Sequence, residues 1–442
     1  MRLAILGGGG FRTPLVYAAL LADRHDRRIT DVVLYDVAPQ RLSAIAAVLG
    51  QQASGHEAPP ALHTTTVLDE ALEGADFVFS AIRVGGLLAR TADERVALDL
   101  GLLGQETTGP GGLSFALRTV PVAVHVAQRV ASCAPGAWVI NFTNPAGLVT
   151  EAMQAVLGER VVGICDSPAA LVRRAVRLLE LPDTAAADYV GLNHLGWLRA
   201  LRHDGVDHLP GLIADDTLLA ATEEGQLFGM EWIRTLGAIP NEYVYYYDFT
   251  REAVAGIRAA ARTRGEFLLA QQRAFYQAVA ATPGRALAEW DRVRLERNAT
   301  YLSEARTRER DQEEVRGGGY EQVALAIMAA IARGEPAELI LNVRNGTTVP
   351  GLPADAVVEV PCSVGAAGPR PHRLDPLLGA QLGLVQQVKA VDRLVIEAAR
   401  TGSAALAVQA FAQHPLVDSV TSARALLAGY RARIPEVDAV FG

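Results

Sequence analysis

The chain has 442 residues, of which 50% are hydrophobic and 20% are charged, and its net charge at pH 7 is −8. This length predicts two closely packed domains, and the acidic balance excludes a general attraction to nucleic acid or to an anionic membrane. The three cysteines, Cys133, Cys165 and Cys362, have no paired spacing, and no uncharged run is long enough for a membrane helix. We therefore expect a cytoplasmic protein without disulfides or membrane spans.

The first part of the chain alternates short β-branched runs with helical patterns. Strands are predicted at 2–6, 29–37, 75–82, 138–142 and 161–165, and helices at 11–24, 40–54, 91–100 and 116–133. Such alternation is typical of a parallel sheet covered by helices on both faces. The prediction is an α/β fold in which residues 1–165 form an N-terminal Rossmann-type, doubly wound parallel sheet.

The second part of the chain follows a looser pattern. A helix is predicted at 168–181, a strand pair at 188–206, a long charged helix at 251–334, two further strands at 338–360 and a last helical region at 378–431. These elements predict a C-terminal α+β domain, residues 166–442, with an antiparallel part. The arginines of 292–316 are balanced by glutamates, which favours a solvated helix face.

Four glycines, Gly7, Gly8, Gly9 and Gly10, lie between the first strand and the first helix. Such a turn lets the backbone approach a pyrophosphate at the helix N-terminus. Asp36 ends the second strand, where an acid would bond the adenosine ribose of NAD and repel the 2′-phosphate of NADP. The alternative is a tight turn in an unrelated α/β fold, but the complete strand, turn, helix and acid favour dinucleotide binding.

Three further features point to chemistry only weakly. Cys165 and His194 could hold a soft or borderline divalent ion, or could be a buried hydrophobe and a structural histidine. The tyrosine-rich run 240–247 predicts an aromatic strand or an interface patch, unless one tyrosine has the lowered pKa that a catalytic base needs. The Gly-rich stretch 82–119 predicts a loop over the sheet edge, which is either structural or presents Arg83 and Arg90 to an anion.

Taken together, these segments resemble the NAD- and metal-dependent glycoside hydrolases of family 4, and they match the 6-phospho-β-glucosidases of that family best. The matching segments run in order along most of the chain: GGGGFRTP, IRVGGLLARTADERVALDLGLLGQETTGPGG, NFTNPAG, GICDSP, GLNHLGW, PNEYVYYY and AVVEVPC. The long block that ends in GQETTGPGG is the most specific of them.

The resemblance implies a cofactor, a metal and a substrate site. It implies that NAD binds at Gly7, Gly8, Gly9, Gly10, Phe11, Asp36 and Arg83, and that Arg90, Asn144 and Asn193 contact the sugar or its phosphate. It also implies a divalent metal ion, expected to be Mn²⁺, held by Cys165 and His194.

The resemblance also implies which residues are catalytic. The base would be Tyr243, with Tyr247 as the alternative, and Asp166 stands where some members have an acid that assists the leaving group. This chain departs from the family pattern at three positions. Many β-type members have Asn in place of Asp166, Gly10 replaces a common serine, and Arg12 replaces the usual third glycine.

The implied reaction is hydrolysis of a 6-phospho-β-glucoside by NAD-dependent oxidation at sugar C3, deprotonation at C2, elimination at C1, addition of water and re-reduction. The alternatives are the same mechanism on another anionic or α-linked glycoside, a plain NAD-dependent hydroxy-acid dehydrogenase, and a non-enzymatic sensor. The expected partner is a small phosphorylated glycoside rather than nucleic acid or a membrane. The family further implies a homodimer or homotetramer formed through the C-terminal domain.

Overall fold

One mixed sheet forms the centre of the part of the chain that this computed structural model describes, residues 1–300 and 319–442. Its first six strands are parallel and lie in the order β3-β2-β1-β4-β5-β6, the doubly wound order of a dinucleotide-binding domain. They are β1 (Arg2–Leu6), β2 (Asp31–Tyr35), β3 (Ala61–Thr65), β4 (Phe77–Ser80), β5 (Trp138–Asn141) and β6 (Val161–Gly163).

Helices cover both faces of this parallel part. They are α1 (Thr13–Ala22), α2 (Pro39–Ala53), α3 (Leu68–Leu72), α4 (Gly86–Asp99), α5 (Pro110–Cys133) and α6 (Ala146–Leu157). Alternate residues of β1 point to opposite faces. Leu3 and Ile5 pack into a core with side chains of α1 and α2, whereas Ala4 and Leu6 pack with side chains of α5 and α6. The predicted Rossmann-type fold is therefore confirmed.

The sheet continues past β6 with antiparallel strands from the second part of the chain, through the pairing of Asn342 with Gly163. The order is β6-β11-β12-β7-β8-β10, with β13 beside β12 and β9 beside β8. The strands are β7 (Ala186–Leu192), β8 (Leu195–His203), β9 (Val206–Asp207), β10 (Ile239–Pro240), β11 (Ala337–Arg344), β12 (Val357–Gly365) and β13 (Gly368–Pro371). The predicted strand pairs at 188–206 and 338–360 thus both form.

Six helices lie in the chain between β6 and Thr250. They are α7 (Ser167–Leu178), α8 (Leu209–Ala214), α9 (Asp216–Ala220), α10 (Glu223–Phe228), α11 (Met230–Leu236) and α12 (Tyr245–Asp248). The helices that follow are α13 (Thr250–Ala259), α14 (Arg264–Ala281), α15 (Ala286–Ala299), α16 (Tyr320–Arg333), α17 (Gly379–Thr401), α18 (Ala404–Gln413), α19 (Val420–Arg433) and α20 (Pro435–Asp438). None of the described helices has the length and hydropathy that crossing a membrane requires.

The prediction of one helix over 251–334 is wrong, because start and stop signals divide the region. Thr263 caps α14, and its side chain forms a reciprocal capping box with Glu266. Pro283 follows α14 and opens a turn of 3₁₀ helix before α15. The last helical region is divided in the same way, since Gly402 ends α17 with a left-handed φ of 66°.

Candidate active site

A cavity of about 1680 Å³ opens at the carboxyl ends of the parallel strands. Its wall includes the residues that directly follow β1, β4, β5 and β6, which is the edge where parallel α/β sheets bind ligands. The predicted site residues in this wall are Gly7, Gly10, Phe11, Asp36, Arg83, Arg90, Asn144, Cys165, Asp166, His194 and Tyr243. Gly8, Gly9, Asn193 and the alternative base Tyr247 lie outside it.

The glycine turn is tight enough to exclude side chains. Gly7 has a φ of 80°, and a Cβ there would lie 2.5 Å from the carbonyl oxygen of Ala81. The amides of Gly7 and Gly8 both donate to the carbonyl of Tyr35, at 2.9 and 2.7 Å. Gly8 lies beneath the turn, where a Cβ would meet Leu34 at 2.7 Å. The turn therefore fixes its backbone against β2 and β4 and leaves the Gly7 and Gly10 side open to the cavity.

Asp36 and Phe11 fix the two sides of this turn. The carboxylate of Asp36 accepts hydrogen bonds from the amide of Gly9 at 3.2 Å and from that of Ala38 at 3.0 Å. Phe11 is only 4% exposed, and its carbonyl accepts a hydrogen bond from the indole of Trp290 at 2.8 Å. The glycine turn is thus bound to α15 in the second part of the chain.

Arg12, which stands where a third glycine is usual, lies in the cavity wall. Its guanidinium lies over the rings of Phe142 and Tyr320, at 5.3 and 5.2 Å from their centroids, and forms an ion pair with Asp166 at 3.6 Å. Tyr320 also donates its hydroxyl to the Arg12 carbonyl at 2.8 Å. Two departures from the family pattern, at residues 12 and 166, therefore contact each other.

Cys165 and His194 reach the same cavity from different elements. Cys165 follows β6, and His194 lies with Asn193 in the two-residue turn between β7 and β8, with a left-handed φ of 66°. A positive φ is uncommon outside glycine, although histidine is among the residue types that adopt it most readily in turns. The turn projects the imidazole into the cavity while both strands remain paired.

The donor set fits a divalent cation. Burial, and then the charges of Glu359 and Asp166, hold the pKa of the Cys165 thiol well above its ordinary value, so a thiolate there needs a bound cation. Burial lowers the pKa of His194 to about 4, so its imidazole is neutral with a lone pair at pH 7. Within residues 1–300 and 319–442, no group of three or more His, Cys, Asp and Glu side chains forms a metal site. The thiol and imidazole would leave coordination positions open to a substrate.

Tyr243 stacks directly on His194, with the ring centroids 3.7 Å apart and the planes 9° from parallel. Its segment is not the predicted aromatic strand, because Asn241 accepts the amide of Tyr243 and starts a 3₁₀ turn that continues into α12. Tyr247, on α12, is instead packed near His414. Burial, and then the charge of Asp392, raise the pKa of Tyr247.

The two predicted asparagines have different surroundings. Asn144 lines the cavity directly before a cis peptide bond to Pro145. Asn193 accepts the amide of Ala146 at 3.0 Å and donates to the carboxylate of Glu359 at 3.3 Å, so it holds α6 and β12 against the turn that carries His194.

Glu106 is a cavity residue that sequence reasoning missed. It pairs with Arg83 and with Arg90, each at 2.7 Å, and Arg90 also donates to Glu94 at 2.9 Å. Burial alone would raise the pKa of Glu106, but the two guanidinium charges outweigh it and lower the pKa to about 2. No local pattern marked Glu106, because an acid in a loop is ordinarily solvated, and its place inside the specific block GQETTGPGG was the available signal.

Arg297 was also missed, because its helix was predicted to be solvated. Arg292 of that helix is exposed and pairs with Glu289 at 2.6 Å, as predicted, but Arg297 lines the cavity. Burial, and then the charges of Arg12 and Arg264, lower the pKa of Arg297. Such a cluster of cations has the electrostatics of an anion site. The rest of the predicted stretch, 301–316, lies outside the described residues.

Two family models match the chain in consecutive segments. The model described as family 4 glycosyl hydrolase matches residues 2–181, and the model of the family 4 glycosyl hydrolase C-terminal domain matches residues 189–417. The two segments contain the glycine turn, the Cys165 strand end, the His194 turn and the Tyr243 segment.

Curated relatives and solved structures agree with these matches. The chain is 31% identical to a probable 6-phospho-beta-glucosidase of Bacillus subtilis, over 97% of this chain and 95% of the relative. It is 30% identical to a 6-phospho-beta-glucosidase of Escherichia coli, over 96% and 93%. A 6-phospho-beta glucosidase from Thermotoga maritima, solved with NAD and glucose-6-phosphate, is 26% identical and has a TM-score of 0.82 over 99% of both chains. A 6-phospho-alpha-glucosidase from gut microorganisms, in complex with NAD and Mn²⁺, is 25% identical and has a TM-score of 0.79 over 98% and 97%. The chain therefore belongs to the family 4 glycosyl hydrolases.

Proposed function

We propose that this protein hydrolyses 6-phospho-β-glucosides with NAD and a divalent metal ion, Mn²⁺ by preference. The observation that carries the proposal is the single cavity that joins the glycine turn and Asp36 to Cys165, His194 and Tyr243. The relatives named as 6-phospho-beta-glucosidases support the substrate class. Solved structures that contain NAD, Mn²⁺ and glucose-6-phosphate support the cofactors and the phosphorylated sugar.

The cofactor would lie along the glycine turn. Gly7 and Gly10 leave room for a pyrophosphate at the N-terminus of α1, and Asp36 would accept the ribose hydroxyls. When bound, NAD accepts a hydride from C3 of the sugar and thereby makes the proton on C2 acidic. Phe11 holds the turn against Trp290, so the residues that bind the cofactor and those of α15 keep a fixed relation.

The metal would bind to the Cys165 thiolate and the His194 imidazole. When bound, the ion supplies Lewis-acid stabilisation of negative charge on the sugar oxygens. The two side chains come from the end of β6 and from the β7–β8 turn, so they fix the ion between the parallel and antiparallel parts of the sheet. Asn193 holds that turn through its bonds to Ala146 and Glu359.

Tyr243 would remove the C2 proton. It lines the cavity and stacks on His194, whereas Tyr247 lies outside the cavity wall. Arg90 lines the same cavity, where its guanidinium pairs with Glu106 at 2.7 Å and donates to Glu94 at 2.9 Å.

The phosphate of the substrate would bind among the guanidinium groups of the cavity. Arg12, Arg90, Arg264 and Arg297 all line its wall. Arg12 pairs with Asp166 and Arg90 with Glu106, so the positive charge that favours an anion comes mainly from Arg264 and Arg297. An arginine fork suits the planar pairs of oxygens that a phosphate presents.

A second candidate substrate class is the α-linked 6-phosphoglucosides. Asp166 favours it, since many β-type members have Asn at this position, and Asp166 lines the cavity where it could protonate a leaving group. Relatives named maltose-6′-phosphate glucosidase and 6-phospho-alpha-glucosidase, each 27% identical to this chain, support keeping this candidate.

The test is hydrolysis of p-nitrophenyl β-glucoside 6-phosphate and of its α-anomer, with Mn²⁺ and a reductant, with and without NAD. Release of p-nitrophenol from the β-anomer, only when NAD is present and without net NADH, is the expected result. Release from the α-anomer alone would select the second candidate. Net NADH from a hydroxy acid, with no release from either glycoside, would contradict both and favour a dehydrogenase.

The proposal also covers the cellular compartment and the oligomeric state of the protein. Its three free cysteines are consistent with the reducing cytoplasm that the sequence predicts. We keep the homodimer or homotetramer as part of the proposal, together with the domain boundary at 165/166 and an assembly through 166–442. Light scattering of the purified protein would give one of these two masses, and a monomer would contradict this part.

A further inference from the structure

A small second cavity lies behind the active site and shares His194 with it. Its volume is about 40 Å³, and His194 is part of its wall as well as of the wall of the large cavity. His194 therefore contacts both cavities. We call this second cavity the rear chamber.

Two residues that line the rear chamber each carry a buried polar atom without a protein partner. These atoms are Nδ1 of His194 and Oγ1 of Thr108, neither of which has a hydrogen-bond partner among the described residues. His194 is 6% exposed and Thr108 is 3% exposed. Buried polar atoms in folded proteins are almost always hydrogen-bonded. Because both of these atoms belong to residues that line one small space, they indicate a bound molecule that serves both.

The rest of the chamber wall is polar enough to hold water. Tyr247, Lys389, Asp392 and His414 also line it. Lys389 donates to Glu151 at 2.8 Å and lies 3.3 Å from Asp392, so one of its three protons is left for the chamber. His414 Nδ1 accepts the amide of Leu416 at 3.1 Å, which leaves the proton on its Nε2.

The volume of the rear chamber limits the size of the molecule that it can hold. A buried water needs roughly 10–15 Å³ of such space and two to four polar partners. The rear chamber therefore accommodates two or three waters and is too small for a sugar or a cofactor fragment.

We propose that the rear chamber is an internal water site and that Thr108 is a positioning residue for His194. Water bonded to Thr108 accepts the Nδ1 proton of His194, which fixes the tautomer and leaves the Nε2 lone pair facing the metal in the large cavity. Metal-binding histidines commonly donate their second ring proton in this way. This inference rests on the proposed metal site. It also makes Tyr247 a wall residue of the rear chamber and not the catalytic base.

The first test is Mn²⁺ binding to Thr108→Val, measured by electron paramagnetic resonance of free Mn²⁺ with NAD present. Valine removes the hydroxyl and keeps the shape, so we expect about 10-fold weaker binding, within the range for loss of a partner of a metal ligand. Thr108→Ser, which retains the hydroxyl, should bind as the wild type does. Equal affinity of Thr108→Val and wild type would overturn the proposal.

The matched control is Thr119→Val. Thr119 lies on α5, is fully buried, and also has an Oγ1 without a partner among the described residues, but it lines neither cavity. We expect unchanged Mn²⁺ affinity in this variant. Weakening equal to that of Thr108→Val would mean that any buried hydroxyl matters, and it would also overturn the proposal.

The second test is a crystal structure of the wild type with Mn²⁺ and NAD. We expect the ion on His194 Nε2 and ordered water within hydrogen-bond distance of His194 Nδ1 and Thr108 Oγ1. An ion on Nδ1, or a dry chamber, would overturn the inference while leaving the proposed function intact. Absence of Mn²⁺ binding by the wild type in either experiment would instead contradict the metal site of the proposed function, and the inference with it.

Discussion

Replacing Asp36 by Asn tests the proposed cofactor site through cofactor preference rather than through activity. Asp36 is half-buried at the end of β2, and its two oxygens accept the amides of Gly9 and Ala38. A carboxylate at this position would bond the ribose hydroxyls of NAD and face the 2′-phosphate of NADP. Arg41, whose Nε lies 3.4 Å from the Gly9 carbonyl, is a cation on the same side of the turn.

The size of the effect follows from charge. Two unit charges about 4 Å apart near a protein surface interact by about 4 kcal/mol, which is about 10³-fold in affinity. Asp36→Asn removes this repulsion, so NADP should bind up to about 10³-fold tighter. NAD loses a charged hydrogen bond worth about 1.5–3 kcal/mol and should bind about 10- to 100-fold more weakly. Asn can accept only one of the two amides, so the unfolding free energy should fall by about 1–3 kcal/mol.

The assay is calorimetric titration of the wild type and the variant with NAD and with NADP, in the same buffer and salt. Asp31→Asn is the matched control, because Asp31 begins the same strand and pairs with His63 on the surface, away from the cavity. It should leave both affinities unchanged. If Asp36→Asn binds NAD as tightly as the wild type and NADP no better, then Asp36 does not face the ribose and the cofactor reasoning fails.

Three further predictions concern catalysis and the metal. Tyr243→Phe should lower kcat by about 10²–10⁴-fold and stop exchange of the sugar C2 proton with D₂O, as measured by NMR, whereas Tyr247→Phe should retain this exchange. Exchange in Tyr243→Phe and its loss in Tyr247→Phe would reverse the two roles. Cys165→Ser should lose most Mn²⁺ affinity and activity, while Cys362→Ser, at a buried cysteine outside the cavity wall, should keep both. Wild-type Mn²⁺ binding by Cys165→Ser would show that Cys165 is not a metal ligand. Dialysis against a chelator should abolish activity, with recovery on adding Mn²⁺; full activity after chelation would exclude a metal role.

The sequence predicted those elements of the fold whose formation depends on residues that are neighbours in the chain. The parallel strands and the glycine turn were predictable because a buried strand is an apolar run and a tight turn needs glycine. β3 was missed because its residues are mostly exposed or half-exposed and lack an apolar face. The break before α14 was visible in the sequence as Thr263 three residues before Glu266, a signal that the overall helical pattern obscured.

The site was predictable only as separate pieces. Cys165 and His194 are ambiguous alone, since either could be a core residue, and the family resemblance was needed to join them. Glu106 and Arg297 come from a loop and a helix that are distant in sequence, and only the folded chain brings them to one cavity. The stack of Tyr243 on His194 could not be predicted either, because it depends on how the β7–β8 turn meets the segment before α12.

The contact between Arg12 and Asp166 changes how the departures from the family pattern should be interpreted. Taken separately, an arginine at a glycine position adds bulk beside the cofactor, and an acid near the metal adds charge beside the substrate. The two side chains form an ion pair at 3.6 Å, and both are about 40% exposed, so the pair contributes at most about 1 kcal/mol to stability. The ion pair therefore acts mainly on the charge of its immediate surroundings. The Arg12 cation offsets the Asp166 charge, and the contact links the glycine turn to the residue after Cys165. Because the two side chains contact each other, a replacement at either position changes the surroundings of the other, and we consider the two positions together.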